Sequence, residues 1–197
     1  MDDKDTQWLT ESETAAWMPL LTTAMWLPAA LDQQLQVDAG ISNFEYGILA
    51  ALSSQEGKTM RLSELARIGN STLPRLSKVI DRLDRNGWVI RRPDPADGRS
   101  TLATLTADGV EKVTATAPGH VARVRALVFD QLTPAQVRQL ATITTKISAA
   151  FGLDGVCAPR PSRNSSATST SGSSSTSTSG STSSSTSTSS STGASLT

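Results

Sequence analysis

Residues 71–85 read STLPRLSKVIDRLDR, and this stretch decides the fold. At about 100° per residue, Leu73, Leu76, Val79, Ile80 and Leu83 fall on one arc, so the spacing predicts a helix with a single apolar stripe. Arg75, Lys78, Arg82 and Arg85 fall within an arc of about 80° on the opposite side, forming one cationic ridge. Asn70 or Ser71 can cap the start, and Pro74 suits a first turn because the N–H it lacks would be unpaired there anyway. Asn86 and Gly87 end the helix, since both residue types accept a left-handed conformation. A basic helix face can be nothing more than a solvated face, so the neighbouring segments decide its meaning.

Upstream, Leu62 to Ile68 reads as a short helix with Leu62, Leu65 and Ala66 inward, followed by a tight turn at Gly69-Asn70. Two helices joined by a short turn containing Gly form the helix-turn-helix pattern, whose second helix enters the DNA major groove. Downstream, residues 88–92 and 101–105 are β-type runs separated by PDPADGRS, residues 93–100. Two prolines and Asp97-Gly98 supply turn chemistry, which predicts a hairpin with a long tip carrying Arg99. An Arg on a projecting hairpin can enter a narrow minor groove, where the negative potential is strongest.

The runs RLSELA (61–66), STLPRLSKVIDRLDRNGWVIRR (71–92), DPADGRS (94–100) and LTADG (105–109) resemble the winged helix-turn-helix of the MarR family of bacterial transcription regulators. The family's wing signature, D-x-x-D-G-R followed by a strand and L-T-x-x-G, is present as Asp94, Asp97, Gly98, Arg99, Leu105, Thr106 and Gly109. The likeness spans about residues 11–151. It implies a mainly α fold with a small β-wing (α+β), in which long N- and C-terminal dimerisation helices flank the winged helix-turn-helix.

Composition divides the chain of 197 residues sharply. Beyond Arg163 there is no Asp, Glu, Lys, Arg or aromatic residue, and nearly everything is Ser or Thr. Such a segment cannot bury enough apolar surface to offset its ordering entropy, so residues 152–197 are expected to be a disordered tail. Residues 1–10 are acidic and expected to be loose. One domain, 11–151, remains, with 11–38 and 106–151 as dimerisation helices and 41–105 as the winged helix-turn-helix. Net charge is zero, yet residues 58–99 hold ten cations against five acids, a net of +5, whereas residues 1–57 hold one Lys against nine acids, a net of −8. A cationic face on an acidic body binds DNA in one orientation and repels it in others.

One Cys and one His exclude a disulfide framework and an intrachain structural zinc site, and no cofactor or metal is expected. Cys157 lies past the last predicted helix and reads as a bystander. Asn164-Ser165-Ser166 matches a glycosylation acceptor by chance. No signal peptide is expected, and the apolar run from Trp17 to Leu31 is broken by polar residues and two prolines. These observations predict a cytoplasmic bacterial protein, nucleoid-associated when bound to DNA, with no membrane partner.

In chain order, helical spacing predicts a long first helix over 11–38 that Pro19 and Pro28 start late or kink, and a second helix over 43–54 capped near Ser42. A short strand follows at 59–61. After the wing, a helix capped by Thr106 runs toward Leu132 with a kink at Pro118-Gly119, and Thr133-Pro134 begins another that carries Val137, Leu140, Ile143, Ile147 and Phe151. The terminal helices are more apolar than a small winged domain can cover, which points to a homodimer. Two-fold symmetry would set two recognition helices about 34–36 Å apart over a palindromic site.

The residues expected to meet double-stranded DNA are Ser71, Thr72, Arg75 and Lys78 at base edges, with Ser77 beside them; Arg82, Arg91 and Arg92 at phosphates; and Arg99 in the minor groove, its guanidinium oriented by Asp97. The resemblance also implies a cleft between dimer helices and winged domain for a small aromatic effector. Trp17, Met25, Trp26 and Tyr46 could line it, although core packing is the plainer role for them and no ligand is assigned. The resemblance makes repression of a nearby promoter the expected mode. A winged helix used for protein contact is the rival reading, and it would need an apolar exposed face on residues 74–85, which is absent. Enzymatic activity is not expected, because His120 stands alone without a nucleophile motif.

Overall fold

The computed structural model describes residues 6–152, so the expectations for Cys157, Asn164 and nearly all of the Ser/Thr-rich tail lie outside the described residues. The chain opens with α1 (Glu11–Ala39), whose start is set by a reciprocal cap: the Thr10 hydroxyl accepts the Glu13 N–H at 3.2 Å and the Glu13 carboxylate accepts the Thr10 N–H at 2.7 Å. This cap lies upstream of both prolines. α1 therefore starts early and runs through Pro19 and Pro28, instead of starting late as the prolines suggested. Gly40, at φ +66°, ends it.

α2 (Asn43–Ser54) begins with a second reciprocal cap between Ser42 and Glu45. A single 3-10 turn leads to β1 (Thr59–Arg61), then α3 (Leu62–Ile68) and α4 (Leu73–Arg85). In the turn between α3 and α4 the left-handed residue is Asn70, at φ +44°, while Gly69 has an ordinary negative φ. Gly69 serves a different need, because a Cβ there would lie 2.7 Å from Cε2 of Phe44. At the far end of α4 only Gly87 turns left-handed; Asn86 stays near helical geometry.

The wing consists of β2 (Val89–Asp94) and β3 (Asp97–Leu105), and β1 completes an antiparallel sheet in the order β1-β3-β2. The expected long tip is not found. Ladder pairing reaches Asp94↔Asp97 across Pro95-Ala96 alone, and Pro93 is tolerated because β2 is an edge strand. Arg99 therefore sits inside β3 near the tip.

α5 (Ala107–Leu127) starts at the Thr106 cap, whose hydroxyl accepts the Gly109 N–H at 3.0 Å. The helix runs through Pro118 and stops at Leu127, short of Leu132, because Val128 leaves helical geometry and a 3-10 turn follows at Phe129–Gln131. α6 (Pro134–Ala149) begins at the Thr133–Gln136 cap. Lys112 ties α5 to the end of α1, donating to the Ala39 carbonyl at 2.7 Å, where a cation complements the helix dipole.

The core gathers Leu35 of α1, Ile48, Leu49 and Leu52 of α2, Leu65 of α3, Leu76, Ile80 and Leu83 of α4, and Val89 of β2, all essentially inaccessible. Leu76, Ile80 and Leu83 of the α4 stripe are thus buried as periodicity predicts, Val79 is partly buried at its edge, and Leu73 stays half exposed at the first position of the helix. By contrast α6 buries no residue fully, and Trp26 and Phe151 are each 72% exposed. No described helix is long and apolar enough to cross a membrane.

Two glycines make opposite predictions. A Cβ on Gly109 would run into the Trp88 carbonyl and lie 2.7 Å from Leu105 Cδ1, whereas one on Gly47 meets nothing within 4 Å. Gly109→Ala should lose about 1–3 kcal/mol by overpacking, and Gly47→Ala should gain about 0.4–1 kcal/mol in its helix. Urea unfolding followed by circular dichroism measures both.

Candidate nucleic-acid interface

α4 is held along both edges of its basic ridge. On one edge α2 supplies Phe44 and Glu45. The guanidinium carbon of Arg75 lies 5.3 Å from the Phe44 ring centroid, within cation–π range. Arg82 forms an ion pair with Glu45, which is only 2% exposed. The other Glu45 oxygen accepts the Ser42 N–H and hydroxyl, both at 2.8 Å. Each oxygen of a buried carboxylate is thereby matched, which is what allows such a charge to remain in an interior.

On the opposite edge the wing supplies Arg91. Its guanidinium donates to Asp81 Oδ1 at 2.7 Å and to Ser77 Oγ at 3.1 Å. Between the two edges Lys78 is exposed and, among the described residues, has no ion pair; the same holds for Arg92 and Arg99. Arg85 turns back on its own helix, donating from Nε to the Asp81 carbonyl at 3.2 Å. Leu73, Ser77, Arg91, Arg99 and Thr101 line one cleft of about 280 Å³ between helix and wing. Recognition helix and hairpin are thus presented side by side.

Both aspartates of the wing signature organise the hairpin. Asp94 is nearly buried; Oδ2 takes Arg61 Nε and Nη2 at 2.8 Å each, and Oδ1 accepts the Ala96 N–H at 2.9 Å. This closes the tip. Asp97 accepts the Ser100 hydroxyl at 2.8 Å and the Arg99 N–H at 3.1 Å, and these bonds, in that order, hold its carboxyl below the usual range. The expectation that Asp97 orients the Arg99 guanidinium is therefore corrected: a short side chain two residues away reaches the backbone N–H, as in an Asx turn.

Ser71 and Thr72 also shift in role. They precede α4 instead of forming its first turn, because Pro74 occupies the start and Thr72 is the cap residue, with no side-chain cap bond. Their hydroxyls stand at a helix N-terminus, a position that favours anions. Of the four residues considered for an effector cleft, Tyr46 alone is buried, and its ring packs on His120 with centroids 4.6 Å apart. Trp17, Met25 and Trp26 are exposed, and Trp17 and Trp26 face opposite sides of α1, about 180° apart. The fold of this chain does not gather the four. Around His120, where α1, α2 and α5 meet, Gln34 Oε1, His120 Nδ1 and Arg123 Nε are buried and have no hydrogen-bond partner among the described residues.

A two-helix unit with a basic, exposed second helix and a hairpin clasped to its flank defines a winged helix-turn-helix protein. The MarR family model matches residues 39–100. Sco3205, a MarR family transcriptional regulator from Streptomyces coelicolor solved in complex with DNA, shares 41% identity at a TM-score of 0.69, covering 77% of this chain and 93% of that one. YkoM of Bacillus subtilis, an uncharacterised HTH-type transcriptional regulator, is 33% identical over 110 residues, 54% of this chain and 68% of its own length. A structure concerned with regulation of DNA binding of Bordetella bronchiseptica BpsR by 6-hydroxynicotinic acid matches at 27% identity and a TM-score of 0.57, covering 66% of this chain and 96% of that one. The chain belongs to the MarR family of transcriptional regulators.

The residues that sequence reasoning missed are Phe44, Glu45, Arg61 and Asp81. For Glu45 a signal existed, since Ser42-x-x-Glu45 is a capping box. Its link to Arg82 is a contact between distant segments that no local pattern displays.

Burial holds the His120 pKa below its ordinary 6.5. Because the folded pKa lies below the unfolded value, the unfolded chain binds the extra proton first as pH falls. The associated stability is complete above about 6.5 and is lost as pH drops through the folded pKa. As the single histidine, it gives one imidazole signal by NMR, which should titrate below 6.5, and His120→Phe should flatten the decline in urea midpoint between about pH 7 and pH 5.

Proposed function

We propose that this chain is a sequence-specific double-stranded-DNA-binding transcriptional regulator, acting as a homodimer that represses from a palindromic operator and is released by a small aromatic effector. The observation that carries the reading is the pairing of α4 with the wing: Arg75 and Lys78 stand exposed on α4, and Arg99 lines the cleft between that helix and the hairpin. The DNA complex of its relative Sco3205 supports the partner.

In this reading α4 enters the major groove, and Arg75 and Lys78 meet guanine acceptors. Ser77 accepts from Arg91, and its own O–H remains to donate. Ser71 and Thr72 approach phosphates, as does Arg92. Arg99 reaches the minor groove from the β3 end of the tip. The exposed apolar faces of α1 and α6, with Trp17, Met25, Trp26, Ile143 and Phe151, are what a second copy would cover. The unpartnered polar atoms beside Tyr46 and His120 are where a small aromatic acid would find partners, and the regulation of BpsR by 6-hydroxynicotinic acid supports that class of effector.

Purified protein is tested by mobility shift on DNA flanking its own gene, across a salt series with nonspecific competitor. A discrete complex that resists competitor is expected, with a steep salt dependence. Arg99→Ala should lose about 1–3 kcal/mol of operator affinity; binding unchanged at every salt concentration would remove the wing from the interface. Failure to bind any duplex at low salt would favour a protein-contact role.

A further inference from the structure

Four cations line the ridge of α4 and three more the wing, yet two of these seven are already neutralised inside the protein. Arg82 is spent on the buried Glu45 carboxylate, and Arg91 on Asp81 and Ser77. We infer that Arg82 and Arg91 are positioning residues: Arg82 pins the recognition helix to α2 and Arg91 pins the wing to the recognition helix, and neither neutralises a phosphate. The inference rests on the DNA-binding reading above and refines it.

The geometry separates the two sets of cations. On one flank of α4 its own Arg82 reaches Glu45 of α2, and on the other Arg91 of β2 reaches Asp81 and Ser77 of α4, while Lys78 lies between them with no ion pair among the described residues. Moving Arg82 to a phosphate would strand Glu45, whose burial leaves no water to replace the guanidinium. Moving Arg91 would leave Asp81, a carboxylate on the exposed face of α4, opposite the DNA backbone. Each pin therefore also masks an anion that would repel DNA. Their joint effect is to set the angle and spacing between the element bound for the major groove and the one bound for the minor groove. Discrimination between sequences, more than charge-driven affinity, depends on that geometry.

The salt dependence of binding tells a pin from a phosphate contact. For a duplex of random sequence, log K falls with log salt by about 0.9 per phosphate neutralised. Lys78→Gln should flatten that slope by about one unit. Arg82→Gln and Arg91→Gln should leave the slope as in the wild type while lowering the preference for flanking DNA over random DNA by about tenfold. Glu45→Gln keeps the cap on Ser42 but removes the charge, and Asp81→Asn does the same for the wing pin. Each frees an arginine, so each should steepen the slope by about one unit and tighten random-sequence binding, which a loss of stability alone would not do.

Because Arg82→Gln leaves a buried charge and can unfold the domain, the double variant Glu45→Gln/Arg82→Gln, with no buried charge, is measured beside it and should keep the wild-type slope. Flattening by about one unit in Arg91→Gln and in the Arg82 variants, matching Lys78→Gln, with no steepening in Glu45→Gln or Asp81→Asn, would overturn the inference and leave the DNA-binding reading intact. A wild-type protein with no salt-dependent complex on any duplex would overturn both.

Discussion

A carboxylate placed where water cannot reach it has to be answered by the rest of the structure. Glu45 is such a group. One oxygen closes the cap of α2 on Ser42, and the other holds Arg82 of α4. Local helix initiation and the placement of the recognition helix are therefore carried by a single side chain. Removing one partner from a buried pair typically costs about 3–5 kcal/mol, and the partial exposure of Arg82 places this pair toward or below the lower end of that range. The adjacent Phe44 stacks under Arg75 and fills the space that Gly69 leaves open, while Tyr46 packs on His120 of α5. Three consecutive residues thus join the first turn of α2 to the recognition helix, to the turn before it and to the C-terminal helical layer.

The wing follows the same logic with exposed partners. Asp94 and Arg61 close the hairpin tip against β1, and Arg91 clasps the hairpin to α4. A two-stranded hairpin alone is marginal in water. Here it gains a third strand and two charged attachments, so its arginines are presented at a defined place relative to the helix. The acidic residues interspersed in a basic segment are therefore the anchors of its geometry.

The helices outside this unit obey a different constraint. α5 is tied to the winged domain through Gly109 and partly buried Val110 and Val113, and to the end of α1 through Lys112. α6 and the first half of α1 leave large apolar side chains uncovered among the described residues. The polar atoms left unmatched around His120, among the described residues, lie where α5 packs on α1 and on Tyr46 of α2.

Sequence alone determined most of the element order, because local patterns report local energies. Caps at Thr106 and Thr133, the β1 strand at 59–61 and the buried stripe of Leu76, Ile80 and Leu83 all follow from periodicity and terminus chemistry. The basic ridge and the wing signature were equally legible. What local pattern does not display is the partner each charge finds within the fold: Asp97 the Arg99 backbone N–H, Arg82 the Glu45 carboxylate and Arg91 that of Asp81. Proline positions likewise suggested a late start of α1 that an upstream cap overrides, and a long hairpin tip that the Asp94 turn closes early. These outcomes turn on which distant segments the core brings together. Glu45 and Arg82, or Asp81 and Arg91, become neighbours only once α2, α4 and the wing have packed, and that packing is a property of the tertiary structure alone.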